Sequence, residues 1–195
     1  YSLAAWIIGV LLGYEPLCFG LDRLEQVAGS MKRAQKWQGN LFNWYELPSM
    51  EPLKPHFISA VDCGNLACYL LMGQRALEHF AQKPLFGREM IQGFLDTAML
   101  CREQVKYPQL EEVQCLAQKF LSSSSFGAKE AVEFLQSVSF LGKMGNAPGM
   151  EPLCRLYQKY CIYLDKMPFL RHIDSLLLGD GEPDQEFFLY CNTMS

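Results

Sequence analysis

Three prolines in eight residues set the strongest limit on how this chain can fold. Pro48, Pro52 and Pro55 each lack a backbone N–H and bias the residue before them away from the αR region. No helix can run through that stretch, although helical spacing precedes and follows it. The stretch from Gly39 to Leu66 therefore stands as a long connection inside an otherwise helical chain. Connections of that kind usually carry function. It gathers Asn40, Asn43, Trp44, Tyr45, Glu46, His56, Asp62 and Asn65 into one non-helical segment. Flat aromatic faces can stack on the apolar face of a sugar ring, while amides and carboxylates hydrogen-bond its hydroxyls. The competing reading is an Ω-like structural loop whose aromatics plug the core.

Around this segment the apolar spacing is helical. Expected helices run Leu3 to Gly13 (with Ser2 as N-cap), Leu21 to Lys36 and Gly64 to Phe80. Lys83-Pro84-Leu85-Phe86-Gly87 breaks the chain. Further helices follow over Glu89–Gln104, Glu111–Leu121, Ala128–Leu141, Pro152–Lys166 and Phe169–Leu178. The first helix is apolar nearly all round, which predicts enclosure on most sides. Asp62, at the start of the third, can either cap that helix or point into a cavity. Phe57–Val61 comes nearest to a strand, and at most as a short edge. The fold class is all-α. Residues 1–84 hold the helical hairpins and the Asn-Trp-Tyr loop, and 85–195 form a helical insertion or bundle.

Composition narrows the chemistry. Of the 195 residues, 50% are apolar and 19% charged, which suits a packed globular chain rather than a disordered one. A net charge of -4 argues against a nucleic-acid surface. Eight cysteines occur without a Cys-x-x-Cys motif. Cys101, Cys115, Cys154 and Cys161 fall within helical patterns as small hydrophobes. Reduced, buried thiols and a reducing, cytoplasmic compartment are the expectation. With three His and no zinc spacing, neither metal nor cofactor is expected. The apolar run Leu3–Gly13 is far shorter than the roughly 20 residues a membrane span needs, so no direct membrane contact is expected from this segment. The start at Tyr1, without an initiator Met, reads as an excised piece of something larger.

No nucleophile elbow, P-loop or dinucleotide fingerprint is present. Glu46, Glu51 and Asp62 are the carboxylates of interest. Glycoside cleavage uses two carboxyls, about 5–5.5 Å apart for retention or about 6.5–9.5 Å for inversion.

Gly39-Asn-Leu-Phe-Asn-Trp-Tyr-Glu46, then Glu51-Pro-Leu-Lys-Pro-His-Phe-Ile-Ser-Ala-Val-Asp-Cys-Gly-Asn-Leu-Ala67, resembles the glycoamylase-like middle region of cyclic β-1,2-glucan synthases. The family pattern is G-H-x-x-N-W-Y-D, then P-L-x-P-x-[YF]-[IV]-S-T-V-D-S-G-N-L-A. The specific match covers about residues 1–80. It implies part of an (α/α)6-toroid and an additional helical bundle. It also implies a transglycosylase domain that cleaves and cyclises β-1,2-linked glucan, within a large chain bound to the inner membrane. The expected partners are a β-glucan oligosaccharide and the remaining domains of that parent chain. Asn43, Trp44, Tyr45, Glu46, Asp62 and Asn65 are the expected substrate-binding residues, and no catalytic residue is assigned. Asn40, Glu46, Ala60 and Cys63 depart from the pattern's His, Asp, Thr and Ser. A chain of this length cannot close a toroid of six hairpins. The expectation is therefore the N-terminal part of such a domain, inactive alone. A non-catalytic helical interaction module and a family member that has lost sugar binding are the alternatives.

Overall fold

The computed structural model describes residues 2–145 and 147–167, which divide into two compact units between Pro84 and Leu85. The first unit holds helices α1 (Ser2–Leu11), α2 (Leu17–Arg33) and α3 (Ala60–Phe80), with short strands β1 (Lys36–Trp37) and β2 (Asn40–Leu41). The second holds α4 (Arg88–Gln104), α5 (Pro108–Leu121), α6 (Ala128–Ser137), a 3-10 turn (Ser139–Lys143) and α7 (Glu151–Asp165). The fold is all-α, with the two-strand ribbon and an isolated bridge between Tyr45 and Pro52 as small additions. The helix expected over Phe169–Leu178 lies outside them.

In the first unit α1 packs between α2 and α3. The crossing with α2 is close: a Cβ on Gly20 would stand 2.4 Å from Cγ2 of Val10. Ile7, Ala76 and Phe80 form a small core, with Val10, Leu11, Leu17, Leu24 and Met72 packed against it. The expected enclosure of α1 is not found. Ile7 is buried, but Ile8 is 48% exposed and Leu12, just past the helix, 49%. Two neighbouring helices cannot surround a third. The α3 surface is also left apolar and open, with Val61, Leu70, Leu71 and Leu77 all exposed.

Helix ends differ from the sequence expectation for local reasons. Pro16 stands at the N-cap of α2 with φ -62° and ψ 146°, so its fixed φ opens the helix at Leu17 rather than Leu21. α2 stops at Arg33, short of Lys36. The Lys36 ammonium folds back to donate to the carbonyls of Met31 (2.6 Å), Ala34 (2.9 Å) and Lys32 (3.4 Å). These are orphan acceptors of the last turn, which a cation suits. α3 begins at Ala60, four residues before the expected Gly64, so Phe57–Val61 is not a strand.

The second unit has a dense interior. Met90, Ile91, Phe94, Leu95, Ala98 and Cys101 of α4 are buried, as are Leu110, Val113 and Ala117 of α5. Phe134 of α6 and Leu153, Tyr160 and Tyr163 of α7 complete it. Phe94 meets Phe134 edge-on at 5.1 Å and Tyr160 at 5.7 Å between ring centroids. At the surface Arg102 of α4 donates to Glu111 and Gln114 of α5, each at 3.0 Å.

The thiols divide. Cys101 and Cys154 are buried, whereas Cys68 and Cys115 are exposed, which corrects the expectation of a buried Cys115. Burial pushes the thiols of Cys101, Cys154 and Cys161 above their usual 9.0. Burial, and then a hydrogen bond with Cys161, pushes the Tyr157 phenol up to about 12. Unfolding returns these groups to ordinary values, so above about pH 9 the folded chain holds more protons than the unfolded one. Stability then falls as pH rises. The melting temperature followed by circular dichroism is expected to drop between about pH 8.5 and about pH 11. A level or rising profile across that window would contradict the burial of these groups.

Candidate functional site

The link from α2 to α3 is a tied-down structure rather than an open loop. Gln38 (φ 48°) and Gly39 (φ 83°) turn β1 into β2. Two central residues at positive φ make the turn that matches the twist of a two-residue hairpin. Trp37 pairs with Asn40 and Lys36 with Leu41. Beyond β2 the chain doubles back on itself. Leu53 N–H donates to the Trp44 carbonyl (3.0 Å), Glu46 N–H to that of Glu51 (2.9 Å), and Met50 N–H to that of Glu46 (2.8 Å).

Asn43 is the knot of the segment. Its N–H donates to the Phe57 carbonyl (2.9 Å), and its Oδ1 accepts from Ser59 N–H (2.8 Å). Its Nδ2 donates to Asp62 Oδ2 (3.1 Å). Ser59 is the N-cap of α3: its Oγ accepts from the N–H of Asp62 (3.1 Å). Asp62 thus sits within the first turn and does not cap the helix. Asp62, with Asn43, Leu41, Phe42, Cys63 and Leu66, lines a niche of about 200 Å³. Asp62 Oδ1 accepts no hydrogen bond among the described residues. Replacing Asn43 with Ala removes two side-chain hydrogen bonds at once, to Ser59 N–H and to Asp62. We expect it to lower stability by about 1–3 kcal/mol, read by chemical denaturation. An unchanged midpoint would contradict the bracing role.

The aromatic pair divides its work. Trp44 is 50% exposed, and its indole stacks on Phe57 at 5.9 Å with a 28° interplanar angle. One indole face is thereby backed, and the ring is held as a platform. Tyr45 is half-buried and its hydroxyl is fully used. It donates to the Gln35 carbonyl (2.7 Å) and accepts from Phe42 N–H (2.8 Å). Tyr45 is a pillar between the hairpin and the doubled-back segment.

Glu46 and Asn65 are not drawn into the niche. The Glu46 carboxylate is exposed and accepts from Ser49 Oγ (2.8 Å) across its own turn. Asn65 is exposed on α3, three residues beyond Asp62 and so on a neighbouring part of that helix. Among the described residues no set of three or more His, Cys, Asp or Glu gathers as metal ligands would. One carboxylate lines the niche, where glycoside cleavage uses two.

Ser59 and Phe57 also build the site, beyond the residues expected from sequence. Ser59-Ala-Val-Asp62 matches the Ser-x-x-acid pattern of a helix start, which gives its signal in the sequence. Phe57 carried no such signal, because its stacking partner lies thirteen residues away.

No protein-family model matches the chain. Part of it does match a curated protein. Over 76 residues it is 38% identical to the cyclic beta-(1,2)-glucan synthase NdvB of Rhizobium meliloti (strain 1021). The match takes in 39% of this chain and 3% of NdvB, so the chain spans a small part of that relative's length. A partial relationship to NdvB follows. No helix among the described residues is long and apolar enough to cross a membrane.

Proposed function

We propose that the α2–α3 segment binds β-1,2-linked glucan, as part of a chain related to cyclic glucan synthases. One observation carries the reading: a half-exposed indole, Trp44, backed by Phe57 and standing in the same braced segment as the Asn43–Asp62 niche. Partial identity to a protein named for β-(1,2)-glucan synthesis supports the choice of sugar. Trp44 supplies the platform, Asp62 accepts from a hydroxyl through its free oxygen, and Tyr45 and Asn43 hold the geometry. Glu46 and Asn65 serve at the edge of the bound sugar.

In this reading the first unit contributes hairpins to an (α/α)6-toroid of a larger parent chain, in which cleavage and cyclisation take place. The uncovered apolar surfaces of α1 and α3 fit such a role. The chain alone binds without turning over. The parent works at the cytoplasmic face of the inner membrane. The second reading is a non-catalytic structural module, favoured by the engagement of the Tyr45 hydroxyl and of both ends of the Asn43 amide inside the segment.

All three tryptophans, Trp6, Trp37 and Trp44, lie in the first unit, so indole emission reports on it directly. Titration with linear β-1,2-glucan is expected to change the emission saturably, with no release of reducing ends. An unresponsive, folded chain would favour the structural module. Turnover that Glu46→Gln abolishes would show that the chain does more than bind.

A further inference from the structure

Leu41 also lines a second, larger cavity of the first unit. It has about 450 Å³ and is walled by Trp6 of α1, Arg23, Gln26 and Met31 of α2, and Tyr45. Leu41 lines both cavities, and Tyr45 adjoins Trp44 in the chain, so the two spaces flank one short stretch. Small-molecule sites usually fall at about 300–1,000 Å³, with aromatic walls and a few convergent polar groups. The niche is below that range and the groove is within it.

The polar groups of the groove are donors with capacity to spare. The Arg23 guanidinium lies 5.4 Å from the Trp6 ring centroid. It donates once, to Gln26 Oε1 at 3.0 Å, and no carboxylate pairs with it among the described residues. A guanidinium carries five N–H groups, so most of these remain to meet a ligand. Gln26 Nε2 has no partner among the described residues either. An aromatic wall beside uncommitted donors suits neutral hydroxylated rings.

We propose that this groove is a further sugar subsite, which takes glucosyl units continuing from those on Trp44. Arg23 and Gln26 donate to their hydroxyls, and Trp6 and Tyr45 form the apolar walls. The proposal rests on the glucan-binding reading and adds to it a subsite that sets preference for chain length.

The test compares a linear β-1,2-glucan oligosaccharide of several units with the β-1,2-linked disaccharide, by calorimetric titration of the full chain. Arg23 is exposed on α2 and has no acidic partner, so Arg23→Ala should fold normally, and circular dichroism checks this. Arg23→Ala is expected to weaken oligosaccharide binding about tenfold, the usual scale for losing a charged hydrogen bond. Disaccharide binding should stay within about twofold of wild type. Trp44→Ala should weaken both ligands. If Arg23→Ala leaves the oligosaccharide unaffected, or weakens both ligands equally, the subsite is overturned while Trp44-dependent binding still stands. If the wild-type chain binds neither sugar, the subsite and the glucan-binding reading fall together.

Discussion

Phe94→Ala is expected to cost about 3–5 kcal/mol of stability. The ring is fully buried at the centre of the second unit, meeting Phe134 edge-on and Tyr160 at a tilt. Truncation removes the transfer energy of the ring and two aromatic contacts, each worth about 0.5–1.5 kcal/mol beyond area burial. It also leaves a cavity that Ile91, Leu95 and Ala98, fixed on the same helix, cannot fill. Against a typical total of about 5–15 kcal/mol, that is a large fraction. The measurement is a urea titration followed at 222 nm. A shift equivalent to less than about 1 kcal/mol would mean that Phe94 is not at the heart of a close-packed core.

Trp44→Ala should do the reverse, costing little stability and most of the sugar affinity. Its ring is half exposed, so the stability at stake is mainly the contact with Phe57, about 0.5–1.5 kcal/mol. An aromatic anchor at the centre of a binding surface commonly carries about 2 kcal/mol or more, so affinity for β-1,2-glucan should fall at least ~30-fold. Tyr45→Phe provides the contrast. It deletes a hydroxyl that links the Gln35 carbonyl to the Phe42 N–H and leaves the ring in place. The expected cost is about 1–2 kcal/mol in stability, with affinity lowered only as far as the segment loosens. Should Tyr45→Phe abolish binding and Trp44→Ala leave it intact, the two roles would have to be exchanged.

These contrasts mark how far the sequence alone could reach. Helices with a clean apolar stripe, such as the one carrying Met90, Ile91, Phe94, Leu95 and Ala98, were legible because a 3.6-residue period dictates one buried face. The non-helical character of the Pro48–Pro55 stretch was legible from proline stereochemistry. The ribbon Lys36–Leu41 was not, since two residues per strand give no period to detect. Its signal lay instead in the positive φ that Gly39 accommodates. The exposure of Ile8 and Leu12 was hidden for another reason: an apolar run specifies that a surface avoids water, but not how many neighbours are present to cover it. Within the site, residue types suggested which side chains could meet a sugar. They did not reveal that the Asn43 amide is engaged by Ser59 and Asp62, or that Tyr45 reaches back to Gln35. Those partners lie sixteen, nineteen and ten residues away, and only tertiary structure pairs them. The Ser59 cap was local and hence readable, and it moves the start of α3 to Ala60.

The most direct test of sugar binding at the α2–α3 segment is a nitrogen-15 indole spectrum of the chain. Trp6, Trp37 and Trp44 give one side-chain resonance each, assigned by single Trp→Phe substitutions. Linear β-1,2-glucan is added stepwise. The account predicts a saturable shift of the Trp44 resonance, accompanied by Trp6 when the oligosaccharide is long enough to enter the groove. A Trp44 resonance that stays fixed while another indole moves would place the sugar elsewhere and contradict the account.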